Sequence, residues 1–368
     1  MKLVLAILLI LVLAAAGAGA YLWYGIEKPY QAFGSEGVFV TIPRGSSSRA
    51  AARILAKNGV IRSALAFEIY ARRHPKRTLE AGEYFFDHAA SGKDVFWKLA
   101  KGEVYVIPFT VREGETIYDI AHELEASKFL PAEDFLKAAK DTSSIKDLAP
   151  YAKTLEGFLF PATYQLSRHP VATELTAKMV QKFREQWKQI SASDPAPANV
   201  ARPTLSTVTL ASLVERETPK PDERPLVAGV FQNRLHKGMP LQCDPTVIYA
   251  LEQVGKYNGS LTSQDLRYDS PYNTYEHGGL PPGPIGNPGE VALRAALAPT
   301  QTDYLYFVAN TQGGHFFGAT LAEHNKNVNR YHRLLQGLPA DPPPPPPTPA
   351  KKKSPASHAK KKQQAKKR

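Results

Sequence analysis

The feature that most restricts how this chain can fold is an uncharged, apolar run at its start. From Leu3 to Tyr24 the sequence reads LVLAILLILVLAAAGAGAYLWY, with no charged residue. About 20 apolar residues span a bilayer as a helix, and Tyr21, Trp23 and Tyr24 stand where the aromatic belt of such a helix lies. Residues 1–26 are therefore predicted to form a retained transmembrane anchor. The small residues of AAAGAGA also allow a cleaved signal peptide, and either alternative implies that the rest of the chain is exported.

Charge and composition narrow the functional classes. The net charge of +12 is concentrated at the C-terminus, because residues 351–368 hold nine lysines and arginines and no acid, which leaves +3 on the rest. A nucleic-acid-binding protein is therefore not expected. The single cysteine, Cys243, excludes an intramolecular disulfide, the histidines lack an HExxH pattern, and no GxxxxGK[ST] loop occurs. Neither a metal nor a cofactor is predicted.

Residues 338–368 are predicted to form a tail that lacks a folded core. Successive prolines in DPPPPPPTPA favour an extended polyproline II segment. The Lys/Ala/Gln sequence after it offers too little apolar surface to fold. Its nine cations either bind anionic lipid or an acidic polymer, or form a solvated charge run, and the sequence leaves both alternatives open.

Between anchor and tail the sequence predicts an α+β fold in three units. Residues 27–105 form a small α/β module, residues 106–195 a second module with connector helices, and residues 200–337 a mixed α+β domain after the linker ASDPAPANVARP. A strand, a Gly-x-Ser/Thr turn and a helix occur twice, at an offset of 69 residues. The second copy, GETIYDIAHEL, resembles the glycan-binding LysM module, although strand–turn–helix units are also common in unrelated folds.

The two glutamates of ASLVERETPKPDERP are candidate active-site acids. Apolar residues wrap most of the predicted helix Leu205–Thr218, so this helix is expected to be buried on nearly all sides. At 3.6 residues per turn, Glu215 and Glu217 point about 200° apart and cannot form a carboxylate pair. At most one faces a cleft, and the other is expected to form a salt bridge or to meet solvent. The periodicity does not say which.

Five ordered motifs carry a family resemblance. LASLVERET, ERPLVAGVFQNRL, GMPLQCDPTVIYAL, YNTYEHGGLPPGPIGNPG and YLYFVANTQGGHFFGATLAEHNKNV are similar to those of the YceG-like endolytic murein transglycosylases, and the likeness covers residues 1 to about 335. The chain departs from the family pattern at Ala162, where relatives usually have Asp, and at Cys243, where they usually have Thr or Ser. The resemblance implies that Glu217 is the catalytic acid. It implies a substrate-binding cleft that includes Gln242, Asp244, Asn273 and Tyr275.

The resemblance also implies a location and partners. A single-pass protein of the inner (cytoplasmic) membrane is expected, with its catalytic domain on the periplasmic or outer face. The expected substrate is the peptidoglycan glycan strand, and peptidoglycan synthases are the expected neighbours.

The implied reaction needs one carboxyl where ordinary glycosidases use two. A lytic transglycosylase cleaves the β-1,4 bond between N-acetylmuramic acid and N-acetylglucosamine without water, because the muramyl C6 hydroxyl is an internal nucleophile of high effective molarity. A non-catalytic peptidoglycan-binding scaffold is the alternative, since it also needs the anchor and the modules. A pyridoxal-phosphate lyase ranks last, because it requires a phosphate-binding glycine loop.

Overall fold

The computed structural model describes residues 2–193 and 205–340. Most of the linker predicted at 192–203 and most of the tail predicted at 338–368 lie outside these ranges, and residues 192 and 193 belong to a helix. The described residues form a mixed α+β structure behind an apolar N-terminal helix, as the sequence predicts. The β-structure consists of three antiparallel two-stranded sheets, one in each unit.

The N-terminal helix α1 (Lys2–Glu27) is long and apolar enough to cross a membrane. Its last turn is part of the folded body, because Gly25 and Ile26 are buried. Gly25 lies so close to the segment 63–66 that a Cβ at this position would be 3.2 Å from the Cβ atoms of both Ser63 and Ala66. The helix therefore runs directly into the first module without an intervening flexible segment.

Two modules with the same order of elements follow α1. Each has a strand, two helices, a second strand that pairs antiparallel with the first, and a third helix. The first module consists of β1 (Val38–Ile42), α2 (Ser48–Lys57), α3 (Ala64–Arg72), β2 (Gly82–Phe86) and α4 (Gly92–Ala100). The second consists of β3 (Ile107–Thr110), α5 (Ile117–Ala126), α6 (Ala132–Ala139), β4 (Thr163–Leu166) and α7 (Ala172–Ser193).

The Gly-x-Ser/Thr turns of the two modules differ in what packs against them. Gly45 and Gly114 both have positive φ, +76° and +82°, which glycine adopts without strain. In the second copy the Gly114 N–H donates to the Asn287 carbonyl (2.8 Å) in the C-terminal domain. In the first copy, space around Gly45 is open. The second turn is thus used for packing between domains, and both the LysM character of the second copy and its glycan binding remain predictions.

The C-terminal domain is built around a central helix, α8. Its elements are α8 (Leu205–Glu217), α9 (Arg224–His236), α10 (Asp244–Glu252), α11 (Glu290–Leu297), β5 (Tyr306–Ala309), β6 (His315–Gly318) and α12 (Leu321–Leu335). Residues 208–215 of α8 are all buried, as its apolar circumference predicts. Val208 and Ala211 pack into the core of the second module, whereas Leu213 and Val214 pack into the core of the C-terminal domain. One helix therefore fixes the two units to each other.

Glu156 provides a second, polar joint between these units. Its buried carboxylate accepts hydrogen bonds from the Ile117 N–H (3.0 Å) at the start of α5, the Asn287 Nδ2 (3.0 Å) and the Tyr249 hydroxyl (3.1 Å) of α10. Burial raises the pKa of Glu156 to about 8. Glu156 belongs to the aromatic segment LEGFLFP, so this segment serves as the contact between the second module and the C-terminal domain.

Candidate active site

The two glutamates at the end of α8 have different environments. Glu215 is buried and forms an ion pair with Arg224, and its Oε2 accepts the Gly289 N–H at 3.0 Å. Arg224 also pairs with Glu113 of the second module at 3.3 Å. The expectation that one glutamate is held in a salt bridge is therefore confirmed for Glu215. Glu217, the last residue of α8, is half-buried and forms no salt bridge among the described residues.

Glu217 has the environment of a carboxylic acid that stays protonated near neutrality. Burial is the main cause that raises its pKa, to about 7, and the nearby negative charge of Asp244 adds to the rise. The Cys243 thiol opposes it by donating to Glu217 Oε2 at 3.3 Å, and so does the positive charge of Arg234. Burial and Glu217 in turn raise the pKa of Cys243, so its thiol remains a protonated donor.

A buried hydroxyl network holds Cys243 in place. Thr274 Oγ1 accepts the Cys243 N–H at 3.0 Å, and the Thr246 hydroxyl donates to the Cys243 carbonyl at 2.6 Å. The two threonine hydroxyls lie 3.0 Å apart. This network joins the start of α10 to residues 270–277, so the proline- and glycine-rich loop is fastened beside Glu217. No local sequence pattern predicts this network, because Thr274 lies about 30 residues from Cys243 and Thr246.

Three of the predicted substrate-binding residues lie together on the accessible side of this network. Gln242 and Asp244 are exposed, and the half-buried Tyr275 donates its hydroxyl to Asp244 Oδ1 at 2.5 Å. Asp244 begins α10 with Pro245 in its first turn, where the missing N–H of proline is harmless.

Asn273, the fourth predicted substrate-binding residue, is fully buried. Its Nδ2 donates to the carbonyls of Leu266 (3.0 Å) and Tyr268 (2.9 Å), and its Oδ1 accepts the Tyr275 N–H (2.9 Å). These bonds fix the backbone of the loop that presents Tyr275. A direct sugar contact by Asn273 remains a prediction, while the geometry favours a role in shaping the loop.

Sequence reasoning missed Arg234, which lies on the buried face of α9 next to the site. Its Nη1 donates to the carbonyls of Pro240 (3.1 Å) and Leu241 (2.9 Å), and its Nε donates to the Leu305 carbonyl (2.7 Å). The sequence does contain a signal for the burial of Arg234, because this residue continues the apolar stripe of Val227, Val230 and Phe231 at helical spacing. A cation in such a stripe is buried only with partners.

The residues around Glu217 offer acid–base groups and hydrogen-bonding groups. Within residues 2–193 and 205–340, no group of three or more His, Cys, Asp or Glu side chains is arranged to hold a metal ion. The arrangement can donate a proton from Glu217, bind polar groups through Gln242, Asp244 and Tyr275, and stabilise positive charge through the Asp244 carboxylate.

Known proteins share this architecture. A family model described as the YceG-like family matches residues 40–330. The endolytic murein transglycosylase of Bacillus subtilis is 36% identical over 319 residues, covering 83% of this chain and 87% of the relative. The endolytic murein transglycosylase of Streptococcus pneumoniae serotype 2 is 32% identical over 333 residues, covering 82% of this chain and 59% of the longer relative.

A solved structure is also similar. The crystal structure of a YceG-like protein from Listeria monocytogenes matches with a TM-score of 0.51 and 34% sequence identity, covering 80% of this chain and 99% of that one. The family match spans both modules and the domain that contains Glu217. The chain belongs to the YceG-like family.

Proposed function

We propose that this protein is a membrane-anchored endolytic peptidoglycan lytic transglycosylase, a lyase that cuts within nascent glycan strands. The relatives' names support a murein transglycosylase. The observation that carries the chemistry is the position of Glu217, which is half-buried, forms no salt bridge among the described residues and lies beside the exposed Asp244, with its pKa raised to about 7 mainly by burial. Half of such carboxyls are protonated at neutral pH, so one group can serve first as an acid and then as a base.

The reaction requires two proton transfers through the same carboxyl. Glu217 protonates the glycosidic oxygen as the bond to the N-acetylmuramic acid C1 breaks, and N-acetylglucosamine leaves with a free hydroxyl. The Glu217 carboxylate then removes the proton of the muramyl C6 hydroxyl while that oxygen bonds to C1. The strand acquires a 1,6-anhydro end, Glu217 is protonated again, and no water is consumed. Asp244 lies where its charge stabilises the oxocarbenium-like transition state.

Asp244 also supports a second candidate function. A second carboxylate close to the acid is the arrangement of ordinary glycoside hydrolases, which activate water or form a glycosyl intermediate. The Tyr275 hydroxyl argues against a hydrolase, because it already donates a hydrogen bond to Asp244 Oδ1 at 2.5 Å.

Digestion of purified sacculi in heavy-oxygen water separates the alternatives. Lytic transglycosylation yields strands with 1,6-anhydromuramyl ends, detected by mass spectrometry, and no heavy oxygen enters the product. Reducing ends that carry heavy oxygen would show hydrolysis and contradict the proposal. If the protein binds sacculi and releases no fragments, the non-catalytic scaffold is the better description.

The pKa of Glu217 predicts the pH dependence of cleavage. Because the acid must be protonated in the free enzyme, kcat/KM is expected to be high below pH 7 and to fall about tenfold per pH unit above it. Initial rates of fragment release between about pH 5 and 9 measure this curve. A rate that stays constant across the range would exclude Glu217 as an acid with a raised pKa.

We further propose that α1 is retained as a single-pass anchor in the inner membrane, with the C-terminal domain on its outer face. Support comes from its last turn, since Gly25 and Ile26 are part of the core of the first module. Anchoring places the cleft near strands that are still being made at the membrane, where cleavage would terminate elongation. Peptidoglycan synthases are its proposed neighbours for the same reason.

A further inference from the structure

We propose that Arg234 is a positioning residue of this site, whose guanidinium fixes the segment Pro240–Gln242 and places a positive charge beside Glu217. The proposal rests on the proposed function in one respect, because it takes Glu217 as the reacting carboxyl. Arg234 acts through its neighbours and is not assigned a contact with the glycan.

The guanidinium ties three separate parts of the domain together. From α9 it reaches the segment before α10 through Nη1, and the residue before β5 through the Nε bond to the Leu305 carbonyl (2.7 Å). Nη1 also lies 3.5 Å from the Gln242 side-chain oxygen. Arginine suits this position because its donors form a rigid planar fork, whereas lysine offers a single point charge on a flexible stem.

The segment that Arg234 holds has a strained backbone. Gln242 has φ of +50°, in the left-handed region that is strained for a residue other than glycine. Such a conformation persists only where its surroundings determine it. Arg234 binds the two preceding carbonyls, and the Thr274 carbonyl accepts the Gln242 N–H at 3.1 Å.

The strained residue is followed at once by the groups that contact Glu217. Cys243, which donates to Glu217, and Asp244, which begins α10, are the next two residues. A change in the Gln242 backbone therefore moves both the thiol donor and the neighbouring carboxylate. In this way Arg234 determines the geometry around Glu217 without bonding to it.

The charge of Arg234 has its own effect on the acid. The groups that interact with Glu217 are Cys243, Asp244, Arg234 and Tyr275. Burial lowers the pKa of Arg234, but guanidinium groups titrate so far above neutrality that it remains charged. A positive charge favours the carboxylate form, so removing it raises the pKa of Glu217.

A pair of substitutions separates charge from geometry. Both Arg234→Gln and Arg234→Lys lose the planar fork, but only the first loses the charge. Lys237→Gln is the matched control, because Lys237 is exposed immediately after α9 and carries the same charge. The pKa of Glu217 is read from the carboxyl ¹³C resonance of the full chain in detergent micelles, assigned with Glu217→Gln, and kcat/KM from sacculus digestion.

Arg234→Gln is expected to raise the Glu217 pKa by about one unit and to move the alkaline fall in kcat/KM to higher pH by the same amount. Arg234→Lys is expected to shift that pKa by less than Arg234→Gln does, because the positive charge is kept and only the thiol donor and the neighbouring carboxylate are displaced. Both variants should lower kcat/KM about tenfold or more, because the reacting groups are misplaced. Lys237→Gln should change neither quantity.

An unchanged Glu217 titration in Arg234→Gln, or an equal shift in Lys237→Gln, would overturn the electrostatic role. Wild-type kcat/KM in Arg234→Lys would overturn the positioning role. If Arg234→Gln does not fold, Arg234→Lys still tests the positioning role, since an undiminished kcat/KM in that variant contradicts the proposal. The titration contains no glycan, so failure of the wild-type protein to form anhydro ends would defeat the proposed function separately.

Discussion

Glu217→Gln is expected to reduce the rate of glycan cleavage by about 10²–10⁴-fold, the range that a positioned acid–base group contributes. Glutamine keeps the size of the side chain and can still accept the Cys243 S–H, but it can neither donate a proton to the glycosidic oxygen nor remove one from the C6 hydroxyl. Initial rates of soluble fragment release at about pH 6, where wild-type Glu217 is mostly protonated, measure the loss.

Glu290→Gln is the matched control for this change. Glu290 lies in the first turn of α11, where its half-buried carboxylate forms an ion pair with Arg294, four residues on, at 2.8 Å. Helical pairs at this spacing contribute little to stability, so both the rate and the fold should be preserved. A comparable loss of activity in the two variants would mean that glutamate replacement damages the domain, and Glu217 would lose its assignment.

Glu215→Ala is expected to destabilise the protein by about 3–5 kcal/mol, because it leaves the buried Arg224 with only the partly exposed Glu113. The thermal unfolding midpoint of the full chain in detergent should fall by about 10 °C. Well below that temperature, fragment release should persist, which distinguishes a structural glutamate from Glu217.

The double variant Glu215→Met/Arg224→Met tests the cause of this loss. Removing both charges avoids an unpaired buried ion. The thermal unfolding midpoint of the double variant should therefore return most of the way to the wild-type value. If the double variant is as unstable as the sum of the single changes, the ion pair is not the reason for the destabilisation. Complete loss of cleavage in folded Glu215→Ala would contradict the choice of Glu217 as the acid.

The sequence pattern predicted those helices and helix ends that depend on residues close together in the chain. The apolar run gave α1, and the apolar circumference of α8 gave a helix whose predicted end at Thr218 is one residue beyond its observed end at Glu217. Gly238, with φ of +66°, ends the helix α9 as a C-terminal glycine signal predicts. Helix geometry also separated Glu215 from Glu217 before any coordinates were known.

The remaining features depend on contacts between distant residues. The family resemblance implies that Asn273 binds substrate, yet its burial depends on carbonyls that only the folded loop provides. Arg234 and Glu156 have partners on other elements, up to 131 residues away for Glu156 and Asn287. A charge in an apolar stripe signals that such partners exist, but the sequence alone does not identify them.

The most direct test of a single-carboxyl reaction compares Asp244→Asn with Glu217→Gln. Sacculi digested by each variant at about pH 6, on the protonated side of the Glu217 titration, are analysed for muramyl ends by mass spectrometry. The single-carboxyl reaction predicts 1,6-anhydromuramyl ends from Asp244→Asn, at a reduced rate, and none above background from Glu217→Gln. Loss of anhydro ends in Asp244→Asn, or their persistence at the wild-type level in Glu217→Gln, would contradict it.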